Sequence, residues 1–286
     1  MTNPPGAKSP LIEVSAASLQ FGDTWALRNV SLTLNPGETR IIFGSAGSGK
    51  TTLLKAVIGL VQIDAGDVRL FGEDVKLRTE QQLYALRSRA GFLFQEGGLF
   101  DSLTIGENVE YPLVNRQTNS EPPPSGEALE RQVRETLRFV ELEQTYDKFP
   151  SELSGGMRRR VGIARAIVTE PPLVLYDSPT AGLDPITANI IMALIAKERD
   201  TRNTASLIVT HRYQDGELMA NFRYDAQNEE LIPVPEEEQN DPRRTRTKFI
   251  VMKEGEIVFG GTRHELEASD DAYVKRFVRH EHNYAK

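Results

Sequence analysis

The chain has 286 residues, a formal net charge of −7 and 39% hydrophobic residues, which is enough to fold around a sizeable hydrophobic core. The acidic balance disfavours nucleic acid as a partner, and the absence of cysteine excludes disulfides, thiolate metal sites and cysteine nucleophiles. No window approaches the roughly 20 apolar residues of a membrane span, so we expect any membrane contact to go through a partner protein.

The N-terminal part of the chain predicts strands, then a strand, loop and helix unit. Residues 11–14 form a short apolar strand, and residues 30–34 alternate apolar and polar side chains before a turn at 35–37, which predicts an antiparallel piece. Residues 41–43 are an apolar run that leads into a glycine-rich loop. Apolar residues then recur at helical spacing, at Leu53, Leu54, Val57 and Ile58.

The fold class follows from two further apolar runs, at residues 173–176 and 207–209. Each run precedes a helical pattern, and a continuous apolar run is typical of a strand buried on both faces of a parallel sheet. We therefore predict an α/β fold.

The stretch between the glycine-rich loop and residue 173 is predicted to be mainly helical. It contains the capping-box pattern Thr104-x-x-Glu107 and an apolar helix face at Leu129, Val133 and Leu137. We interpret residues of about 97–165 as an inserted helical subdomain.

Two segments are predicted to be exposed. Residues 118–126 are turn-forming with no apolar content and form a connector, and residues of about 221–247 carry glutamates, arginines and prolines typical of a solvated insertion. A helix-like segment at 271–280 ends in a polar tail. We expect one main domain over 9–270 and a C-terminal helix and tail over 271–286.

The glycine-rich loop matches the phosphate-binding pattern G-x-x-x-x-G-K-[ST] without deviation. Its glycines allow backbone amides to close around phosphate oxygens where a Cβ would collide. The lysine would reach the β and γ phosphates, the threonine hydroxyl would ligate Mg²⁺, and the following helix would point its N-terminus at the anion. The predicted nucleotide-binding residues are Gly44, Ser45, Ala46, Gly47, Ser48, Gly49, Lys50, Thr51 and Thr52.

Asp177 follows the predicted strand at 173–176, where a carboxylate can hold Mg²⁺ against the β and γ phosphates. Taken alone, an aspartate in this place is more often a helix cap. The glycine-rich loop upstream makes the metal role the better interpretation. Thr51 and Asp177 are therefore predicted metal ligands.

A third motif, Leu153-Ser154-Gly155-Gly156-Met157, lies about two dozen residues before Asp177. It resembles the LSGGQ signature of ABC ATPases, and Ser154, Gly155 and Gly156 would form a second anion-binding helix terminus. The resemblance implies a P-loop NTPase (RecA-like) core with an N-terminal antiparallel β subdomain and an inserted helical ABC subdomain. It also implies a head-to-tail homodimer, or a dimer with a similar cassette, in which the signature of one subunit closes on ATP held by the other.

Four other positions resemble motifs of the same family. Gln95 is similar to the Q-loop glutamine, which contacts Mg²⁺ and the attacking water. Asp184 ends a D-loop-like Ala-Gly-Leu-Asp, and His211 is similar to the switch histidine that contacts the γ phosphate. Phe21 resembles the aromatic residue that stacks on adenine, with core packing as an equal alternative and Trp25 as a rival.

Ser178 departs from the family, in which a glutamate at this position polarises the attacking water. A positioned base is worth roughly a hundredfold to ten-thousandfold in rate, so hydrolysis is predicted to be slow or to use another route. His211 and Gln95 could position the water while the γ phosphate accepts the proton. Alternatively, a carboxylate such as Glu96 or Asp184 could substitute for the glutamate, or the site could bind ATP with little turnover.

Residues 92–100, Met157 and residues 268–274 resemble the ATPases of Mla/Mce-type lipid transport systems. This resemblance implies an integral-membrane permease, an MCE lipid-binding protein and sometimes a STAS-domain subunit as partners. It places the chain peripherally at the cytoplasmic face of the inner membrane. Leu99 and Phe100 are predicted to meet the permease, with core packing as the alternative.

A different class of function stays open at this point. The chain could be a nucleotide-dependent regulatory or binding module with little or no ATP hydrolysis, because Ser178 replaces the usual glutamate. Turnover by the assembled permease complex would distinguish this module from an ATPase that drives transport.

Overall fold

We describe a computed structural model of the protein, which covers residues 9–95, 97–115, 125–241 and 244–278. Glu96, Arg243, His280, His282 and most of the predicted 118–126 connector lie outside these residues.

An antiparallel sheet is built from the N-terminal part of the chain. Its strands are β1 (Ile12–Phe21), β2 (Thr24–Leu34), β4 (Ala65–Leu70) and β5 (Glu73–Asp74), in the order β2-β1-β4-β5. The predicted antiparallel pairing of the first two strands is confirmed, because Ile12 pairs with Leu34 and Phe21 with Thr24. Their inward side chains belong to a hydrophobic core that they share with α1 and one face of the central sheet.

A six-stranded sheet lies at the centre of the protein, in the order β12-β11-β3-β8-β7-β6. Five neighbouring strands are parallel, and the edge strand β12 is antiparallel to β11. The strands are β3 (Thr39–Gly44), β6 (Ala90–Leu93), β7 (Leu173–Asp177), β8 (Ala205–Val209), β11 (Thr247–Lys253) and β12 (Glu256–Gly261). Every residue of β3, β7 and β8 is buried, as the continuous apolar runs predicted. The α/β class is confirmed.

Helices surround the central sheet. They are α1 (Lys50–Val57), α2 (Glu80–Arg87), α3 (Ile105–Val114), α4 (Glu127–Phe139), α5 (Gly155–Ile167), α6 (Pro185–Arg202), α7 (Tyr213–Asn221), α8 (Glu236–Asn240), α9 (Arg263–Glu267) and α10 (Lys275–Val278). Helices α3, α4 and α5 pack together. Short 3₁₀ turns at Glu143–Thr145 and Pro150–Glu152 join α4 to α5. Within the part of the chain that is described, none of the helices combines the length and the apolar character needed to cross a bilayer.

The helix signals in the sequence act as expected. The Thr104 hydroxyl accepts the Glu107 amide proton at 3.2 Å, and the Glu107 carboxylate accepts the Thr104 amide proton at 2.7 Å, so the capping box that starts α3 is confirmed. In α4, Val133 and Leu137 are buried and Leu129 is half-buried, as the apolar face predicted.

Three strands lie in the stretch that was predicted to be mainly helical. Strands β4 and β5 extend the antiparallel sheet, and β6 is the outer parallel strand of the central sheet. Strand β6 has four residues, and its Gly91 lies close against the Ala166 carbonyl of α5, where a side chain would collide. The stretch is mainly helical as predicted, since it contains α2, α3, α4 and α5, but its three strands were not predicted because none of them carries a long apolar run.

The 221–247 segment contains a hairpin of β9 (Phe222–Asp225) and β10 (Glu230–Pro233), followed by α8. Its described residues before Thr247 are exposed or half-buried. At the C-terminus, α10 covers four residues of the predicted 271–280 helix, after a turn at 271–274. The boundaries of the helical subdomain and of the main domain stay predictions.

Candidate functional site

The sequence motifs meet at one edge of the central sheet. Strands β3, β8, β7 and β6 are adjacent and parallel, so the loops after their carboxyl ends share that edge. The glycine-rich loop follows β3, His211 lies just past β8, Asp177 and Ser178 are at the end of β7, and Gln95 lies just past β6. Strand order therefore brings together residues that are far apart in sequence.

The glycine-rich loop, residues 44–51, is closely packed at its base. Gly49 has φ +99°, and a side chain there would collide with the Ala26 carbonyl. A side chain on Gly44 would collide with Ser48 Oγ and the Met252 carbonyl. These positions require glycine for space and for conformation. Helix α1 begins at Lys50, so its free amide groups lie at the loop.

The Lys50 ammonium is held within the loop. Its Nζ donates to the Gly44 carbonyl at 2.9 Å, the Ser45 carbonyl at 2.8 Å and Ser48 Oγ at 3.2 Å. Burial lowers the pKa of Lys50, while the attraction of Asp177 opposes that shift. The loop therefore holds a poorly solvated cation near its amide groups, which suits a polyanionic ligand.

Asp177 connects the second motif to the first. Its side chain is buried, and its Oδ1 accepts a hydrogen bond from Thr51 Oγ1 at 3.2 Å and one from Ser178 Oγ at 3.4 Å. Burial raises the pKa of the Asp177 carboxyl, and the bonds from Thr51 and Ser178 partly offset this rise. The structure thus brings two of the three predicted metal ligands, Thr51 and Asp177, into contact, and the third, Gln95, is exposed at the end of the neighbouring strand.

These residues fit Mg²⁺, which prefers hard oxygen ligands and keeps several waters or phosphate oxygens in its shell. A carboxylate and a hydroxyl within 3.2 Å of each other supply two such oxygens. The raised pKa of Asp177 also indicates a carboxylate that lacks full solvation and would be stabilised by a cation.

The Asp177→Asn variant is expected to melt a few degrees above the wild-type protein at pH 7 when no nucleotide is added. Because burial raises the pKa of Asp177, the ionised carboxylate is less favourable in the folded state than in the unfolded state. This cost is present above the folded-state pKa and vanishes below about pH 4, where the carboxyl is protonated in both states. Thermal unfolding from pH 4 to pH 8 checks the prediction, and a gain that grows on acidification would contradict it.

Ser178 has a constrained backbone. Its φ is +51°, in the left-handed region that non-glycine residues rarely adopt, and its amide donates to the Val209 carbonyl at 2.9 Å. The side chain is half-buried beside Asp177. The position of the usual family glutamate is therefore held firmly between β7 and β8.

The proposed substitute carboxylates differ in what the structure shows. Asp184 Oδ1 accepts the amide protons of Ile186 at 3.1 Å and Thr187 at 3.0 Å and so caps α6. Its bonds with Thr187 lower the pKa of the Asp184 carboxyl, which makes it a weaker base. Glu96 lies outside the described residues. His211 is exposed two residues beyond β8.

The signature motif forms a helix N-terminus. Ser154 caps α5 by accepting the Met157 amide proton at 3.3 Å. A side chain on Gly155 would meet no other atom within 4 Å, whereas one on Gly156 would collide with Thr187 in the first turn of α6. Ser154 and Gly155 are therefore exposed, and the signature lies against the same helix terminus that Asp184 caps.

Sequence reasoning missed Arg159 in α5. Its guanidinium donates to the Phe94 carbonyl at 3.2 Å, next to Gln95, and to the Ala181 carbonyl at 3.3 Å, in the segment that ends at Asp184. Arg159 thus joins the signature helix to two other motif segments. The sequence does not single it out, because Arg159 is the middle one of three consecutive arginines.

Asp215 was also missed. It is buried in α7 and accepts hydrogen bonds from Thr180 Oγ1 at 2.5 Å and Thr210 Oγ1 at 2.6 Å, with Arg212 3.3 Å away. Burial raises the pKa of the Asp215 carboxyl, and these partners oppose the rise. Asp215 therefore connects the segment after Ser178 with the residue before His211.

The hairpin of β1 and β2 borders the glycine-rich loop, because the Ala26 carbonyl lies against Gly49. Phe21 is 57% exposed and Trp25 is 42% exposed. Core packing of Phe21, an equal alternative at the sequence level, is therefore wrong. Both rings stay candidates for stacking on a base.

Comparisons with known proteins agree with this geometry. A family model described as ABC transporter matches residues 27–181. The intermembrane phospholipid transport system ATP-binding protein MlaF of Haemophilus influenzae is 35% identical over 230 residues, 80% of this chain and 85% of that protein. MlaF of Escherichia coli K12 is 36% identical over 268 residues, 94% of this chain and 88% of that protein.

Solved structures give the same result. The ATP-binding cassette MJ0796, in a dimeric post-hydrolysis state bound to ADP and Pi, is 29% identical to this chain with a TM-score of 0.70. The alignment covers 88% of this chain and 98% of that one. Together with the family match and the similarity to both MlaF proteins, this shows that the chain belongs to the ABC transporter family and is an ATPase of the ABC type.

Proposed function

We propose that the chain binds ATP between two copies of itself and uses ATP hydrolysis to drive the permease of a lipid transport system. The observation that carries the proposal is the hydrogen bond between Thr51 and Asp177, which joins the two phosphate motifs into one site. The same chain also has an exposed N-terminus of α5, which carries the signature sequence. The names of the MlaF relatives support phospholipid as the transported substrate.

Each motif has a defined task in this proposal. The amides of residues 46–51 bind the phosphates, and Lys50 neutralises charge on the β and γ phosphates. Thr51, Asp177 and Gln95 hold Mg²⁺, which lowers the charge of the phosphates when it is bound. Phe21 or Trp25 stacks on adenine.

The second copy completes the site. Ser154 and the amides of Gly155 and Gly156 bind the γ phosphate from the opposite side, at an α5 terminus whose dipole favours anions. The dimeric state of the MJ0796 cassette supports this pairing. Because the complete site needs both chains, ATP binding and dimer closure are coupled.

Hydrolysis proceeds without the usual glutamate. His211 and Gln95 position the attacking water, and the γ phosphate accepts its proton. Asp184 is less suited to replace the base because its carboxylate caps α6. A regulatory module that binds ATP with little turnover is the second candidate, and the neutral Ser178 favours it.

An aromatic groove next to Gln95 is the proposed docking site for the permease. It has a volume of about 620 Å³ and is lined by exposed aromatic rings, Tyr84 of α2, Phe94, Phe100 and Tyr111 of α3. The ring centroids of Phe100 and Tyr111 lie 4.8 Å apart. The Arg165 guanidinium donates to the Gly98 carbonyl at 2.7 Å and so fixes the groove wall. Exposed aromatic clusters of this kind mark protein interfaces.

The groove lies beside Gln95, which is proposed to position the attacking water. Phe94 lines the groove and directly precedes Gln95 in sequence, so a permease segment bound in the groove would move the Q-loop. Leu99 instead packs against the core, as its alternative interpretation predicted, and Phe100 carries the exposed surface.

The proposed location is the cytoplasmic face of the inner membrane, with an MCE protein and a STAS-domain subunit as further partners.

The Phe100→Asp variant tests this function in the transporter assembled with its permease. We expect at least tenfold slower phosphate release by the complex, because a charge at an interface centre costs about 2 kcal/mol or more, while ATP binding by the chain is unchanged. Leu77→Asp is the matched control, since Leu77 is 79% exposed and does not line the groove. Equal phosphate release by both variants would overturn the docking site, and no phosphate release by the wild-type complex would favour the regulatory module.

A further inference from the structure

The C-terminal segment, residues 271–278, belongs to none of the nucleotide motifs but packs on the glycine-rich loop. Asp271 Oδ1 accepts the amide protons of Tyr273 at 2.7 Å and Val274 at 3.0 Å, which closes a turn. Val274 is fully buried in the same core as Phe43 of β3. The segment is therefore anchored where β3 leads into the loop.

The Tyr273 hydroxyl bridges two backbone segments. It donates to the Met252 carbonyl at the end of β11, 3.1 Å away, and accepts the Ser45 amide proton at 3.0 Å. Ser45 Oγ lies 3.1 Å from the same hydroxyl. Because a phenol has one proton, which Met252 takes, the Ser45 hydroxyl donates in that pair. Tyr273 thus makes three hydrogen bonds, two of them to the second residue of the loop.

A ring contact holds the other side of Gly44. The Phe277 ring stacks on Phe43, with centroids 6.0 Å apart and planes at 10°, and the Tyr273 ring meets Phe277 edge-on at 5.3 Å. Phe43 and Ser45 flank Gly44 in sequence. The C-terminal segment therefore fixes both neighbours of the first loop glycine.

One peptide group connects Tyr273 with Lys50. The amide that donates to Tyr273 and the Gly44 carbonyl that accepts from Lys50 Nζ belong to the same planar peptide, between Gly44 and Ser45. In a trans peptide the N–H and C=O point in opposite directions, so fixing one direction fixes the other. Tyr273 thereby orients the carbonyl that binds the Lys50 ammonium.

We propose that Tyr273 is a positioning residue for nucleotide binding, which holds the Gly44–Ser45 peptide and with it Lys50 in the arrangement that receives phosphate. The inference rests on the proposed function of the loop. Without the hydroxyl, this peptide is no longer held in one orientation. Nucleotide binding must then order the peptide at a cost in free energy, so the affinity for ATP decreases. Tyr273 touches no reacting atom, and the rate at saturating ATP depends on groups that it does not contact.

The test is Tyr273→Phe in the full-length chain, with ATP affinity measured by calorimetry in the presence of Mg²⁺. Loss of the two hydrogen bonds to Ser45 is expected to weaken ATP binding about fivefold to tenfold. The KM for ATP should rise by the same factor in phosphate release by the assembled transporter, with kcat unchanged. Phe277→Leu, which weakens the ring contact, should change KM in the same direction.

Controls separate the inference from the function on which it rests. Tyr224→Phe, in the β9 hairpin, should leave affinity unchanged, and Lys50→Ala should abolish tight ATP binding. A Tyr273→Phe affinity equal to that of the wild-type chain, beside weak binding by Lys50→Ala, overturns the positioning role alone. Equal binding by Lys50→Ala and the wild-type chain overturns the proposed function.

A structural measurement tests the peptide contact without nucleotide. Amide hydrogen exchange at Ser45 should become faster in Tyr273→Phe while exchange in β7 and β8 stays the same. Unchanged exchange at Ser45 would contradict the inference whatever the affinity of the chain for ATP.

Discussion

Replacing Ser178 with glutamate is expected to raise the rate of ATP hydrolysis by about a hundredfold, the lower end of what a positioned general base contributes. Ser178 directly follows Asp177, at the edge of the sheet where the glycine-rich loop, Gln95 and His211 also lie. A serine hydroxyl is not a base at neutral pH, whereas a glutamate with an ordinary pKa near 4.3 is ionised there. The water that attacks the γ phosphate would then have a proton acceptor.

The backbone at this position accepts the change. Ser178 has a positive φ and its amide donates to the Val209 carbonyl, and glutamate meets the same backbone restriction as serine. The variant loses the weak bond of 3.4 Å from Ser178 Oγ to Asp177 and places a second carboxylate beside that buried one. A lower melting temperature without nucleotide is therefore expected, which a thermal melt can verify before the rates are compared.

Single-turnover phosphate release by the assembled transporter is the appropriate measurement, because it isolates the chemical step from product release. Ser178→Gln is the matched control, since it has the length of glutamate without a base. Equal rates for the glutamate and glutamine variants would show that proton transfer at this position does not limit hydrolysis.

The sequence predicted the parts of the fold that have a strong local pattern. The apolar runs of β3, β7 and β8 and the capping box of α3 lie where they were expected. Strands β4, β5 and β6 were missed, because they lack a long apolar run and form by pairing with strands elsewhere in the chain. A four-residue strand that contains Gly91 carries almost no local signal.

The candidate site shows the same division. The glycine-rich loop, Asp177 and the signature could be predicted because each is a compact motif with a chemical reason for every residue. Asp215 could not, since its threonine partners lie 35 and 5 positions away and an aspartate in a helix has no distinctive pattern. Tyr273 contacts Ser45 across 228 positions, a contact that only the folded chain creates.

ATP-driven pairing of two chains is expected to be lost in the Gly155→Glu variant, with hydrolysis reduced on the order of a hundredfold or more, as when an anion-stabilising group is removed. Gly155 is exposed at the first turn of α5, and an added side chain meets nothing within 4 Å. A carboxylate there interacts favourably with the helix dipole, so the single chain should be as stable as the wild type or slightly more stable. The same carboxylate repels the γ phosphate that the partner chain presents.

Gly155→Gln separates charge from bulk, because glutamine has the same size without the charge. Molecular mass in solution with ATP, measured for each chain, should show a dimer for the wild type, a weaker dimer for the glutamine variant and a monomer for the glutamate variant. Dimer formation by the glutamate variant at the ATP concentrations that dimerise the wild-type chain would contradict the role of the signature.

The central claim is that the glycine-rich loop of one chain and the signature of another chain bind the same ATP molecule. The chain has no cysteine, so introduced thiols have no background. The direct measurement mixes an Ala46→Cys chain with a Gly155→Cys chain and adds a short bis-maleimide crosslinker. Both positions are exposed. We predict a crosslink between the two different chains with a non-hydrolysable ATP analogue and Mg²⁺, and little crosslink with ADP; a crosslink that is equal with and without the analogue, or that joins only identical positions, would contradict the account.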